Sequence, residues 1–302
     1  ALRLTPGWLT RWIMDPAALR PHTTMPKLLI RSDDALNQSD AGDIVAYLRS
    51  ISPKSKATPV RKRPTRKLNT RGKVIFRELG CISCHSMESN EQFSGDIPMG
   101  NLAPKYRGSA LTEFLSAPEA SHPNTRMPNF ALTEEEITAL ASYLTSRSKS
   151  HSMLPWKFDG DAEKGKALVA STGCLNCHAI EGATSTLNAP ALSAVQRSTL
   201  SRGCLSNTAG QRGGAPQFSF SVEELAGLRS FIANDLDSLN RFSPAEYAER
   251  QIDRLNCLAC HSRDGLGDRW ATLTPTPRAN DEATIHTGRP HLDFAGEKLR
   301  SN

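Results

Sequence analysis

Cys81-Ile82-Ser83-Cys84-His85 decides how this 302-residue chain is read, because the pattern returns as Cys174-Leu175-Asn176-Cys177-His178 and as Cys257-Leu258-Ala259-Cys260-His261. Six of the seven cysteines lie in these pairs, and Cys204 stands alone. A disulfide framework makes no demand on the residue after each pair, yet His follows all three. With 8 His in the chain, chance gives that coincidence a probability on the order of 10⁻⁵. A zinc ribbon places its two pairs about 15–20 residues apart, whereas these recur after 93 and 83 residues. A thioredoxin-type redox motif needs one βαβ context, not three copies.

Working outward, an apolar helical pattern precedes each motif: Gly72–Gly80, Ala162–Gly173 and Ala245–Asn256. Downstream, Leu9–Pro26 (LTRWIMDPAALRPHTTMP) aligns without a gap on Leu111–Pro128 (LTEFLSAPEASHPNTRMP), which matches Met25 to Met127, each followed by Pro. Amphipathic stretches follow at Ser39–Ser50, Thr133–Arg147 and Ser221–Asn234, with capping-box patterns at Thr133/Glu136 and Ser221/Glu224. Tyr47, Tyr143 and Phe231 hold equivalent places in these stretches and read as core. Aligning Ala215–Ile232 on Met127–Leu144 puts Ala215 where a Met would stand, and no Met follows residue 153.

Cys-x-x-Cys-His is the attachment signature of c-type haem: two thiols add to the porphyrin vinyl groups and the adjacent imidazole binds the iron. With its flanking patterns, the chain resembles the class I cytochromes c in a tri-haem arrangement. The resemblance implies an all-α fold of tandem cytochrome c domains, one split between the N- and C-terminal ends. The expected divisions are residues 1–52 (Met loop and final helix), 53–71 (basic linker), 72–149 (haem 1), 150–238 (haem 2) and 239–302 (the N-terminal half of a domain, with haem 3). It also implies three covalent haem c groups held by Cys81, Cys84, Cys174, Cys177, Cys257 and Cys260, with His85, His178 and His261 on iron. Met127 is the expected distal partner of His85, and Met25 that of His261. Haem 2 is left without a Met, and a lone thiol at Cys204 is expected to be buried, since free Cys packs as a small hydrophobe. His286 or His291 is an alternative cap for the second iron.

The third motif is followed by only 41 residues, with no Met, while residues 1–50 supply a Met loop and closing helix without a Cys pair. Three completions follow: within one chain, between chains head to tail (251–302 with 1–50 of a neighbour), or by sequence beyond a cut piece, for the chain opens Ala1-Leu2-Arg3 without an initiator Met. The leading expectation is an electron carrier with redox protein partners, and the head-to-tail completion would build a conductive filament. The alternatives are a peroxidase-like or ligand-binding enzyme using an open haem 2, or an electron-transfer piece of a larger oxidoreductase. Covalent haem implies a periplasmic or extracellular place.

Composition narrows the field. The net charge of +6 comes from nine Lys/Arg between Pro53 and Lys73 with no acid among them, and the balance without that segment is −3. A nucleic-acid binder needs a folded basic face with stacking aromatics, which a basic linker does not supply. The longest charge-free stretches are 14 and 15 residues, short of the ~20 apolar residues of a membrane span.

Overall fold

The computed structural model describes residues 3–21, 23–53, 64–87, 97–123, 125–148, 160–187, 192, 195, 200–206, 208–213, 215, 218, 220–265 and 291–293. These are mostly helical. In chain order the elements are α1 (Pro6–Met14), α2 (Pro16–Leu19), α3 (Asp34–Ser50), α4 (Arg66–Glu78), β1 (His85–Ser86), β2 (Ile97–Pro98), α5 (Leu102–Lys105), α6 (Ala110–Ser116), α7 (Pro118–Ser121), α8 (Glu134–Arg147), α9 (Ala162–Ser171), α10 (Ala209–Arg212), α11 (Val222–Asn234) and α12 (Pro244–Leu255). They fall into two compact units: Ala1–Pro59 with Pro104–Ala110 and Ser150–Phe242, and Val60–Ala103 with Leu111–Lys149 and Ser243–Asn302. No helix among the described residues is long and apolar enough to cross a membrane.

In the first unit, α3 crosses α9. Leu9 and Ile13 of α1, Ile44, Val45 and Tyr47 of α3 and Val169 of α9 form the buried centre, and Cys174, Leu175 and Ile180 pack on its edge. Full burial of such a side chain contributes roughly 1.5–3 kcal/mol. The crossing depends on Gly165, where a Cβ would sit 1.9 Å from the Asp43 carbonyl oxygen, so only glycine allows the two backbones this close. The buried Asp43 carboxylate also accepts from the Asp161 N–H at 2.7 Å, tying α3 to the N-cap residue of α9. A second cluster in this unit joins Leu205 to Leu225 and Ile232 of α11. Arg229 stitches it together by donating to the carbonyls of Leu200 (3.2 Å) and Leu205 (2.8 Å).

The second unit repeats the crossing with α4 and α8. A Cβ on Gly72 would lie 2.1 Å from the Ala139 carbonyl oxygen, and Phe76 meets the Tyr143 ring at 5.8 Å between centroids. Ile75 and Phe76 of α4 and Ile137, Leu140 and Leu144 of α8 are buried. Both predicted capping boxes are present, at Thr133/Glu136 and Ser221/Glu224. By contrast, no residue of α12 is buried, and Tyr247 and Leu255 are exposed.

Several expectations are corrected. Residues 1–50, expected beside the third motif, pack on α9, the helix that leads into the second. The reason is steric: nine residues before the first Cys of the motif, α9 has Gly165, while α12 has Ala248 at that place. Within the 150–238 stretch, 160–187 joins α1 and α3, and a second cluster forms around α11. The basic linker ends sooner than residue 71, since Thr65 caps Leu68 and starts α4, carrying Arg66, Lys67, Arg71 and Lys73 onto a helix. The α3 helix starts at Asp34 rather than Ser39 because the Asp33 carboxylate accepts from the Ala35 N–H. Cys204 is exposed rather than buried.

Candidate haem-attachment sites

The three Cys pairs fold alike. Each follows a helix that ends on a left-handed residue: Gly80 (φ 70°), Gly173 (φ 97°) and Asn256 (φ 57°). A single 3₁₀ turn then spans Cys81–Ser83, Cys174–Asn176 and Cys257–Ala259, closed by the second Cys donating its N–H to the carbonyl of the first at 3.2, 3.3 and 3.1 Å. At the second and third motifs the His N–H also donates to the first Cys carbonyl, at 2.9 Å in both. At the first, His85 opens β1, whose parallel pairing with β2 fixes its backbone. Its Nδ1 lies 3.4 Å from the Ile97 carbonyl oxygen. A carbonyl only accepts, so this contact favours the tautomer with the proton on Nδ1, the one in which Nε2 is the metal-ligating nitrogen.

The six thiols are unbridged. Cys81, Cys84, Cys174, Cys257 and Cys260 are half-buried, as are His85 and His261, while Cys177 and His178 are exposed. Burial pushes the Cys81 thiol up to about 12, with the Cys84 and Cys260 thiols adding to the rise. A thiol so held is neutral, unlike the low-pKa thiolate of a redox or zinc site. Among the described residues, no group of three or more His, Cys, Asp and Glu converges as a bare ion's ligand set. Two unbridged thiols and an imidazole on one turn, three times over, are the donor set that haem c requires, and the residues fit that group.

The methionine loops also fold alike. Asp15 and Ala117 share an uncommon backbone, near φ −150° in each, which turns the chain so that the fully buried Pro16 and Pro118 start α2 and α7. The Met25 N–H donates to the Thr23 hydroxyl at 3.3 Å, and the Met127 N–H to the Thr125 hydroxyl at 3.2 Å. Both methionines are half-buried. Met127 belongs to the unit that holds Cys81 and Cys84, Met25 to the unit that holds Cys174 and Cys177. His291 lies beside the third motif, its Nδ1 bonded to the Ser262 hydroxyl. His286 lies outside the described residues.

Residues 70–148 match the family model described as Cytochrome c. No curated protein and no solved structure matches the chain.

Proposed function

We propose that the chain, matched by the Cytochrome c family model over 70–148, is an electron carrier with three covalent haem c groups rather than one. The observation that carries this is the threefold recurrence of one local geometry: helix, left-handed residue, 3₁₀ turn, paired thiols, imidazole. Cys81 and Cys84 with His85, Cys174 and Cys177 with His178, and Cys257 and Cys260 with His261 hold the three groups. Haem supplies reversible one-electron storage at its iron. Met127 is the second axial ligand of the first site. Met25 takes that role at the second, because α1 and α3 pack against α9 and the edge of its motif. The helix crossings at Gly72 and Gly165 exclude water from one side of each site. Thioether ligation places these two sites at higher potential than the third.

Partners are redox proteins, and thioether attachment fits a periplasmic or extracellular setting. Catalysis at an open iron is the second reading, favoured only at the third site, where α12 has no buried residue. Redox titration of the visible spectrum tests the assignment. M127A and M25A each lower the midpoint of one haem, a different one in each variant. A protein in which both variants titrate like the parent refutes the ligand pairs. Rapid carbon monoxide binding by one haem in three identifies the third site as open.

A further inference from the structure

Within the second unit, the third attachment turn touches the first. Asn256 Nδ2 donates to Cys84 Sγ at 3.5 Å. Arg126 Nη1, on the residue before Met127, donates to the Arg254 carbonyl at 2.8 Å. The end of α12 is thus gripped twice by the first site, once at its second thiol and once at its methionine loop. Both contacts have a local logic. The last carbonyls of a helix lack intrahelical partners, and Arg126 satisfies one of them. Asn256 occupies the left-handed position where the other two motifs carry Gly80 and Gly173. Glycine adopts that backbone at less steric cost than any L residue. Asn is the usual alternative to Gly at such a left-handed cap, and here its amide also reaches Cys84.

We propose that the third attachment turn is docked on the edge of the first haem site, between Cys84 and the Met127 loop, so that the cofactors of these two sites are immediate neighbours, with Asn256 and Arg126 as positioning residues. The proposal rests on both turns carrying haem. Asn256 acts on the first group through the sulfur that anchors it: an N–H donated to a thioether draws electron density from the ring and favours the reduced form. Proximity itself has a readout, because the charge on one iron shifts the potential of a neighbour by Coulomb interaction at low dielectric.

The test is spectroelectrochemical titration of the purified haem-loaded protein, with intact mass recorded for every variant. C257S/C260S removes the third group. The expected result is a shift in the midpoint of the haem held by Cys81 and Cys84. N256G keeps the left-handed turn, as Gly80 and Gly173 do, and removes only the amide. It retains the parent's haem count and lowers the midpoint of that same haem; R126Q shifts the same midpoint. Two unmoved midpoints in C257S/C260S, or N256G and R126Q curves superimposable on the parent's, overturn the docking. If C257S/C260S does not fold, N256G decides alone. Failure of the underlying haem reading is distinguishable, since the parent's mass then lacks the haem increments.

Discussion

Gly165→Ala is the sharpest perturbation of this architecture. The added Cβ would stand 1.9 Å from the Asp43 carbonyl oxygen, 2.4 Å from its carbon and 2.9 Å from the Ile44 nitrogen. All three are backbone atoms of α3, so no side chain rotates out of the way. Relief requires α3 and α9 to part by roughly 1.3 Å, which loosens the packing of Val169 against Tyr47 and Ile44. Overpacking of this kind costs about 3 kcal/mol at the upper end of its range. Replacing glycine by alanine within a helix returns ~1 kcal/mol. The net loss of roughly 2 kcal/mol lowers Tm by about 4–8 °C for a unit of this size. Gly227 on α11 is the matched control: nothing lies within 4 Å of its Cβ position, so G227A gains the propensity alone and melts higher by a few degrees. The assay is thermal unfolding followed by far-ultraviolet circular dichroism and by haem absorbance. G165A melting within 2 °C of the parent refutes the α3–α9 crossing, and with it the completion of the second site by residues 1–50.

Further predictions address separate contacts. Burial, with Arg20 adding, lowers Lys105 to about 8, and its Nζ lies 4.9 Å from the Trp8 and Tyr106 ring centroids. Between about pH 8 and 10.5 the unfolded chain binds this proton while the folded one does not, so stability rises with pH across that window. Denaturant unfolding between pH 7.5 and 10.5 shows the rise in the parent and its loss in K105M. Arg229→Met leaves the Leu200 and Leu205 carbonyls without that donor and costs roughly 1–3 kcal/mol. Native-state hydrogen exchange registers it as lost protection in α11, with α4 and α8 unchanged.

The chemistry was more legible in the sequence than the assembly. The thiol pairs with their His fixed three turns, and the 102-residue offset between the methionine loops reappears in the structure as the same Thr-to-Met hydrogen bond at Met25 and Met127. Capping patterns located the starts of α8 and α11 for the same reason: a Ser or Thr three residues before Glu satisfies two orphan donors at once. Partnership between halves was not legible, because the apolar stripes of α9 and α12 offer a closing helix similar surfaces. What separates them is close backbone approach, a matter of one glycine, Gly165, against Ala248, together with the buried Asp43 carboxylate held by the Asp161 amide. The signal was present in that glycine, nine residues before the first Cys in both Gly72 and Gly165. Only the two crossings show that it selects the partner. The contact of Asn256 with Cys84 joins residues 172 positions apart and has no sequence pattern.

Intact mass of the purified protein under denaturing conditions tests the central claim most directly, since thioether-bound haem stays on the unfolded chain. Three haem increments above the bare polypeptide are predicted; a single increment, or none, contradicts the tri-haem account.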